Sequence, residues 1–194
     1  MPRTPETNDQ IRRETSEKIL KVAMELFIQN GYHSTSIDEI ANKAKISKGL
    51  LYHYYKGKES LLAAMVEERI EELLEVMETA TTKESPVEQI SYIIEGSLEN
   101  VSRKPKVFRF YLNLLTQPKH DKVLAKYSNL LQAEFDKQFE VQNEMFEKLG
   151  VTNAKMKSVH FSSTLQGIML MYSTYPYLFP LDEIKAQVID EFCR

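Results

Sequence analysis

The sequence contains few of the residues on which disulfide-bonded domains and most enzyme motifs depend. It has one cysteine, six glycines and no tryptophan in 194 residues. Cys193 has no second cysteine with which to form an intramolecular disulfide, a pattern that fits a reducing compartment. No phosphate-cradling glycine loop and no Gly-x-Ser-x-Gly elbow occurs in the sequence. We therefore expect no catalytic residues and no cofactor.

Histidine is also scarce, with four residues in the chain. His33, His120 and His160 have no Cys, Asp or Glu partner at a spacing typical of metal ligands. We expect these histidines to be exposed or hydrogen-bonded and predict no metal site.

Long apolar runs are missing as well. Residues 1–17 are polar and charged, without the apolar centre of a secretory signal. The longest apolar stretch, 168–181, is interrupted by Ser173, Pro176 and Pro180 and is too short for a membrane span. Together with the single cysteine, these features predict a cytoplasmic protein without a membrane partner.

The hydrophobic pattern predicts an all-α fold. Apolar residues recur at spacings of three and four, while alternating strand patterns are absent from the sequence, and its Asn-Gly pair, Asn30-Gly31, follows a helical pattern instead of joining two strands. Ser36 and Glu39 form the sequence pattern of a capping box at the start of a short helix. The expected helices are about 15–29, a short one opening at 36, 47–55, 61–79, 86–101, 106–116, 121–149, 152–175 and 181–192.

Charge is distributed unevenly along the chain, although the net charge is only -3. Residues 1–58 carry ten Lys plus Arg against seven Asp plus Glu, whereas residues 59–194 carry fifteen against twenty-one. The segment 42–58 contains five lysines, interleaved with tyrosines and a histidine, and no acidic residue. Such a cationic, hydrogen-bonding segment is typical of a surface that binds nucleic acid.

The same segment has the pattern of a helix-turn-helix, because the connection 43–46 joins two short helices. Ala41 and Ala44 are small enough for the helices to cross closely. The residues expected on the buried face are Ile37, Ile40, Ile46, Leu51 and Tyr55. The opposite face of the second helix is then free to enter a major groove of DNA. This face carries Lys48, Gly49, Tyr52 and His53, and Leu50 could contact a thymine methyl group.

The segment from Gly31 to Leu62 resembles the DNA-binding signature of the TetR family of regulators; it reads GYHSTSIDEIANKAKISKGLLYHYYKGKESLL. The resemblance implies that Ser36 caps the second helix beside a phosphate and that Lys48 and Gly49 approach bases and backbone. It further implies phosphate or groove contacts for Tyr52 and His53 and a phosphate contact for Lys58. Leu50 departs from the family pattern, which often has a smaller residue there, and this affects the operator sequence.

The resemblance also implies two domains: a DNA-binding domain of residues 1–58 and a helical ligand-binding and dimerisation domain of residues 59–194. The last two helices would form a four-helix interface with their copies in a homodimer. Candidates for this interface or the adjacent core are Phe161, Leu165, Ile168, Ile184 and Val188. Candidates for a ligand pocket, with ordinary hydrophobic core as the alternative for each, are Phe108, Tyr111, Phe135, Phe139, Met169 and Tyr172.

The expected function is that of a regulator, most often a repressor, released from operator DNA by a small apolar or amphipathic effector. The effector would favour a position of the helix 61–79 in which the two recognition helices no longer match the half-sites. The alternative is a helical adaptor that binds only protein, which would leave the basic segment without a role.

Overall fold

The computed structural model describes residues 5–117 and 120–194, in which all regular secondary structure is helical. This confirms the all-α prediction. No helix in the described ranges is sufficiently long and apolar to cross a membrane. Pro118, where the sequence suggests a break between helices, lies outside the described residues. The helices are α1 (Pro5–Asn30), α2 (Ile37–Ala44), α3 (Lys48–Tyr54), α4 (Lys58–Thr81), α5 (Pro86–Arg103), α6 (Pro105–Leu115), α7 (Lys122–Lys148), α8 (Ala154–Thr174) and α9 (Leu181–Phe192).

Most helix boundaries lie within a few residues of the prediction, and the start of α1 is the main difference. This helix begins at Pro5 rather than near residue 15. Its first turns are polar on all sides, so they lack the apolar stripe from which periodicity is recognised. An i,i+4 hydrogen bond of 3.0 Å from Gln10 Nε2 to Glu14 Oε1 supports them instead.

The start of α8 also differs from the prediction, which began this helix at residue 152, whereas it begins at Ala154 with Asn153 as the N-cap. The Oδ1 atom of Asn153 accepts a hydrogen bond of 3.2 Å from the backbone N–H of Met156. Asparagine is among the strongest N-cap residues, so it takes this position in preference to the neighbouring threonine.

The first compact unit extends to Glu68 and contains α1 to α3 and the start of α4. The apolar face of α1 is buried in this unit. Each fully buried leucine or isoleucine contributes roughly 1.5–3 kcal/mol to the core. The buried residues of this unit are Ile19, Leu20, Ala23, Leu26, Phe27, Ile40, Ala41, Ala44, Leu51, Leu61, Leu62, Met65 and Val66.

The turn between α2 and α3 is tight and left-handed. Lys45 has a φ of 55°, and its N–H donates to the carbonyl of Asn42 at 3.1 Å. The N–H of Ile46 reaches back to the carbonyl of Ala41 at 3.0 Å. These bonds satisfy carbonyls at the end of α2 and turn the chain within a few residues. The turn places α3 against α2 as a helix-turn-helix requires.

The second compact unit comprises Arg69–Arg194, so the division falls inside α4, beyond the predicted domain boundary between residues 58 and 59. That boundary stays a prediction. Within the unit, α8 packs against α5, α6 and α7, and α9 packs against α5.

Three of the candidates for the dimer interface or the adjacent core belong to the core of the second unit. Phe161, Leu165 and Val188 are 0%, 4% and 4% exposed, and the ring of Phe161 packs edge-on against Phe146 and Phe192. Of the two alternatives given for them, the adjacent core applies and the interface does not, because their side chains pack inside the subunit. Ile168 and Ile184 are half-buried at the edge of the same cluster.

Candidate nucleic-acid interface and internal cavity

The start of α2 is held by a reciprocal cap between Ser36 and Glu39. Ser36 Oγ accepts a bond of 3.2 Å from the N–H of Glu39, and the N–H of Ser36 donates to Glu39 Oε2 at 2.7 Å. The backbone N–H of Ser36 stabilises the charged carboxylate and thereby lowers the pKa of Glu39. The structure thus confirms the predicted capping box and leaves Ser36 exposed at the front of α2.

The short helix α3 is anchored on one side only. Ser47 Oγ caps it by accepting a bond of 3.1 Å from the N–H of Leu50, and Leu51 is fully buried. At the C-terminal end, the Tyr55 hydroxyl lies 2.7 Å from Ser16 Oγ on α1. Partial burial of its ring raises the pKa of the Tyr55 hydroxyl. These contacts fix the orientation of α3.

The opposite side of α3 is exposed. Leu50 and Tyr52 are 40% and 47% exposed, and the His53 ring packs edge-on against Tyr54 with 5.6 Å between centroids. The structure brings together on this side five of the seven residues predicted to contact DNA: Lys48, Gly49, Leu50, Tyr52 and His53. A helix that presents one polar and aromatic face while the other is anchored has the form of a recognition helix.

Lys48 has an acidic partner that the sequence analysis missed. Its ammonium nitrogen lies 2.9 and 3.0 Å from the two carboxylate oxygens of Asp38 on α2. The hydrogen bond to Asp38 raises the pKa of Lys48. Residues ten apart across a turn give no local sequence signal, so the structure was needed to find this pair. Asp38 would hold Lys48 at the front of α3 in the absence of a phosphate.

Lys58, predicted to contact phosphate, is bound to the protein itself. Its Nζ atom donates to the carbonyl oxygens of Tyr32 and His33, each at 2.9 Å, and lies 5.0 Å from the Tyr32 ring centroid. These contacts attach the first residue of α4 to the loop after α1. An ammonium group has three N–H donors, so two carbonyls leave one for a phosphate oxygen.

The second unit contains a partly open cavity of about 110 Å³ between α4, α5, α6, α7 and α8. Its lining is mainly apolar, as expected of a site for a small ligand. Five of the six predicted pocket residues line it: Phe108, Tyr111, Phe135, Phe139 and Met169. The sixth, Tyr172, is not among the lining residues, and its ring packs against Phe179 with 6.2 Å between centroids.

The polar residues of the lining were not foreseen from the sequence. Arg69 Nη1 lies 3.0 Å from Glu72 Oε2, and the guanidinium lies 5.8 Å from the Tyr111 ring centroid. On α7, Gln142 Oε1 accepts a bond of 2.6 Å from Ser162 Oγ. These residues occupy ordinary polar positions of amphipathic helices, and their location in the cavity depends on how those helices pack.

A second exposed surface lies on α8 and consists of large apolar side chains. Met156, Val159, Leu170 and Met171 are 63%, 47%, 42% and 48% exposed. Val159 and Leu170 are eleven residues apart, close to three helical turns, and therefore share one face of α8. An apolar face of this kind is typical of a contact with another protein surface.

Comparisons with known proteins agree with this arrangement. The sequence model described as bacterial regulatory proteins, tetR family, matches residues 19–65. The Fatty acid metabolism regulator protein of Bacillus subtilis is 29% identical over 121 residues, which are 59% of this chain and 62% of that protein. HTH-type transcriptional regulator QacR of Staphylococcus aureus is 53% identical over 45 residues, 23% of this chain and 24% of QacR. The structure of the SmeT–triclosan complex has a TM-score of 0.73 at 20% identity, covering 92% of this chain and 90% of that chain.

The similarity in sequence is concentrated in the first unit. This chain spans 19%, 62% and 29% of the length of three curated relatives that it matches, all below two thirds. The matched range 19–65 nevertheless includes the helix-turn-helix and all seven residues predicted to contact DNA. The matched family is described as bacterial regulatory proteins and the named relatives as regulators, which agrees with the interpretation of the segment 19–65 as a regulator's helix-turn-helix. Over residues 19–65, this chain is similar to the tetR family of bacterial regulatory proteins.

Proposed function

We propose that this protein is a cytoplasmic transcriptional repressor that binds operator DNA as a homodimer and is released by a small apolar or amphipathic effector. The exposed face of α3 carries the proposal, because its residues are held in place from behind by Leu51 and Tyr55. An adaptor that binds only protein would leave this basic and aromatic face without a role.

DNA recognition would combine phosphate contacts with limited reading of base edges. The exposed face of α3 carries a lysine, a tyrosine and a histidine, and no arginine with which to form a bidentate pair with guanine. Lys48 and Tyr52 are placed to contact phosphates or groove edges, and Leu50 is placed to contact a thymine methyl group. Phosphate contacts of this kind make affinity fall steeply with salt.

A second copy of the chain is the partner that best fits the apolar face of α8. Ser163 and Gly167 lie between Val159 and Leu170 along this face, so two copies of α8 could approach closely. A twofold dimer presents two recognition helices to half-sites about 34–36 Å apart. The dimer would therefore bind operator DNA much more tightly than a single subunit.

The cavity is the proposed effector site, and α4 is the element that would transmit its occupancy. Leu73, Val76 and Met77 of α4 line the cavity, while Lys58, the first residue of the same helix, bonds the loop after α1. A ligand that favours one position of α4 would shift the population of DNA-binding and released states. The complex of SmeT with triclosan supports a small-molecule site in this fold.

The DNA-binding proposal predicts tight, salt-sensitive binding to the DNA that flanks the protein's own gene. Combining Lys48→Gln with Tyr52→Ala should weaken binding at least tenfold. It should also reduce the steepness of the fall of log affinity with log salt by about 1. The measurement is fluorescence anisotropy across a salt series. The matched control combines Lys122→Gln with Leu130→Ala, both exposed on α7, and should bind like the wild type. Equal affinity of the two double variants would contradict the assignment of α3.

Asp38→Asn provides a second test, because it removes the carboxylate that holds Lys48 and repels phosphate. We expect DNA affinity to rise by roughly fivefold, the equivalent of about 1 kcal/mol for one close charge pair in water. Asp136→Asn changes an exposed carboxylate on α7 and should leave affinity unchanged. A fall in affinity for Asp38→Asn would show that Asp38 positions Lys48 for DNA instead of competing with it.

The dimer proposal predicts that charges on the apolar face of α8 separate the subunits. Combining Val159→Glu with Leu170→Glu should convert a dimer into a folded monomer, because both side chains are exposed within the subunit. Leu130→Glu alters a residue of similar exposure, 47%, on α7 and should remain dimeric. Sedimentation velocity separates the states. A monomeric wild type, or a dimeric double variant, would show that α8 is not the interface.

A further inference from the structure

The middle of α5 carries a glycine that faces the cavity. Gly96 lines the cavity, and a Cβ atom at this position would meet no atom within 4 Å. Glycine weakens a helix relative to alanine, and the helical backbone of α5 does not require it here. No close neighbour explains its small size either. The missing side chain leaves room in the cavity.

A second cavity residue carries a polar group with no partner. Gln138 on α7 lines the cavity and is 8% exposed, and its Nε2 atom has no hydrogen-bond acceptor in the described part of the chain. Leu131, Phe135 and Phe139 of the same helix give that side of the cavity an apolar character. A buried N–H group without an acceptor destabilises the folded state. The Nε2 atom is itself buried, so rotation of the Gln138 side chain toward the cavity would present this donor to a ligand and give it an acceptor.

The charges of the cavity lining are already compensated. Among the described residues of the lining, the charged ones are Arg69 and Glu72, and they pair with each other at 3.0 Å. Lys104 lies 3.5 Å from the other oxygen of Glu72. An ionic ligand would lose its hydration on entering the cavity. Because Arg69 and Glu72 already pair with each other, they would not replace that hydration with a free opposite charge. The lining therefore favours a neutral ligand.

We propose that the effector is a neutral molecule of the size of one substituted ring that carries a hydrogen-bond acceptor. Its acceptor oxygen accepts a hydrogen bond from Gln138 Nε2, and its apolar body occupies the space beside Gly96. The volume of about 110 Å³ is of the same order as the roughly 150 Å³ of an apolar cavity that holds benzene. This inference rests on the proposed role of the cavity as the effector site.

Three probes of one shape test the ligand class: acetophenone, which has a neutral acceptor, cumene, which has none, and benzoate, which is charged. Titration calorimetry of the full-length protein should show acetophenone binding about tenfold more tightly than cumene and no binding of benzoate. Absence of acetophenone binding, or equal binding of benzoate, would overturn the proposal.

Gln138→Leu tests the donor directly. The variant should lose the preference for acetophenone over cumene while melting no lower than the wild type, because it removes an unpartnered buried group. A preference that persists would show that another residue donates the bond. A lower melting temperature without ligand would show that Gln138 supports the fold instead, and either result would overturn its assigned role.

Gly96→Leu tests whether the space beside Gly96 holds the ligand. It should raise the melting temperature by roughly 2–4 °C and abolish binding of acetophenone and cumene, because the added side chain fills the cavity. Asn129→Leu adds the same side chain at an exposed position of α7 and should bind acetophenone like the wild type. A variant at position 96 that melts lower, or still binds, would overturn the proposal.

DNA release is measured separately from binding. Acetophenone that binds the wild type and lowers its affinity for DNA supports both the ligand class and the proposed function. Acetophenone could instead bind, with the expected dependence on Gln138 and Gly96, and leave the affinity for DNA unchanged. That result would support the ligand class and contradict only the proposed regulation.

Discussion

The anchoring of α3 from one side is the constraint on which the account of this protein depends. A helix of seven residues is not stable by itself in water, so its orientation comes from what it packs against. Buried Leu51, the hydroxyl contact between Tyr55 and Ser16, and the left-handed turn at Lys45 together fix that orientation. The side chains on the exposed face can then meet a DNA groove as a set.

Part of the interior of the second unit is a cavity instead of packed side chains. The ring of Phe161 packs edge-on against Phe146 and Phe192 in a dense cluster, as the interior of a stable domain requires. The neighbouring cavity holds Gly96 and the unpartnered amide of Gln138, both unfavourable to stability. Features that lower the stability of the fold in this way are expected at functional sites. The packed cluster and the cavity adjoin each other, and Met77, Ile93 and Leu165 belong to both.

Local patterns were sufficient to predict the helices, the capping box and the helix-turn-helix. Contacts between distant residues were not predictable, because no local pattern signals them. The pair of Lys48 and Asp38, the bonds of Lys58 and the open side of Gly96 depend on how helices pack. For the same reason, apolar periodicity on α8 could not separate core from interface. Phe161 belongs to the core, while the exposed apolar face of α8 lies elsewhere on the helix.

The most direct test of the central claim is selection of duplexes from random-sequence DNA by the purified protein, followed by sequencing. Two α3 helices related by a twofold axis predict an enriched inverted repeat whose half-site centres lie roughly 10 base pairs apart, or a multiple of that distance. Enrichment of no sequence, or of a sequence without twofold symmetry, would contradict the account of this protein as a dimeric DNA-binding regulator.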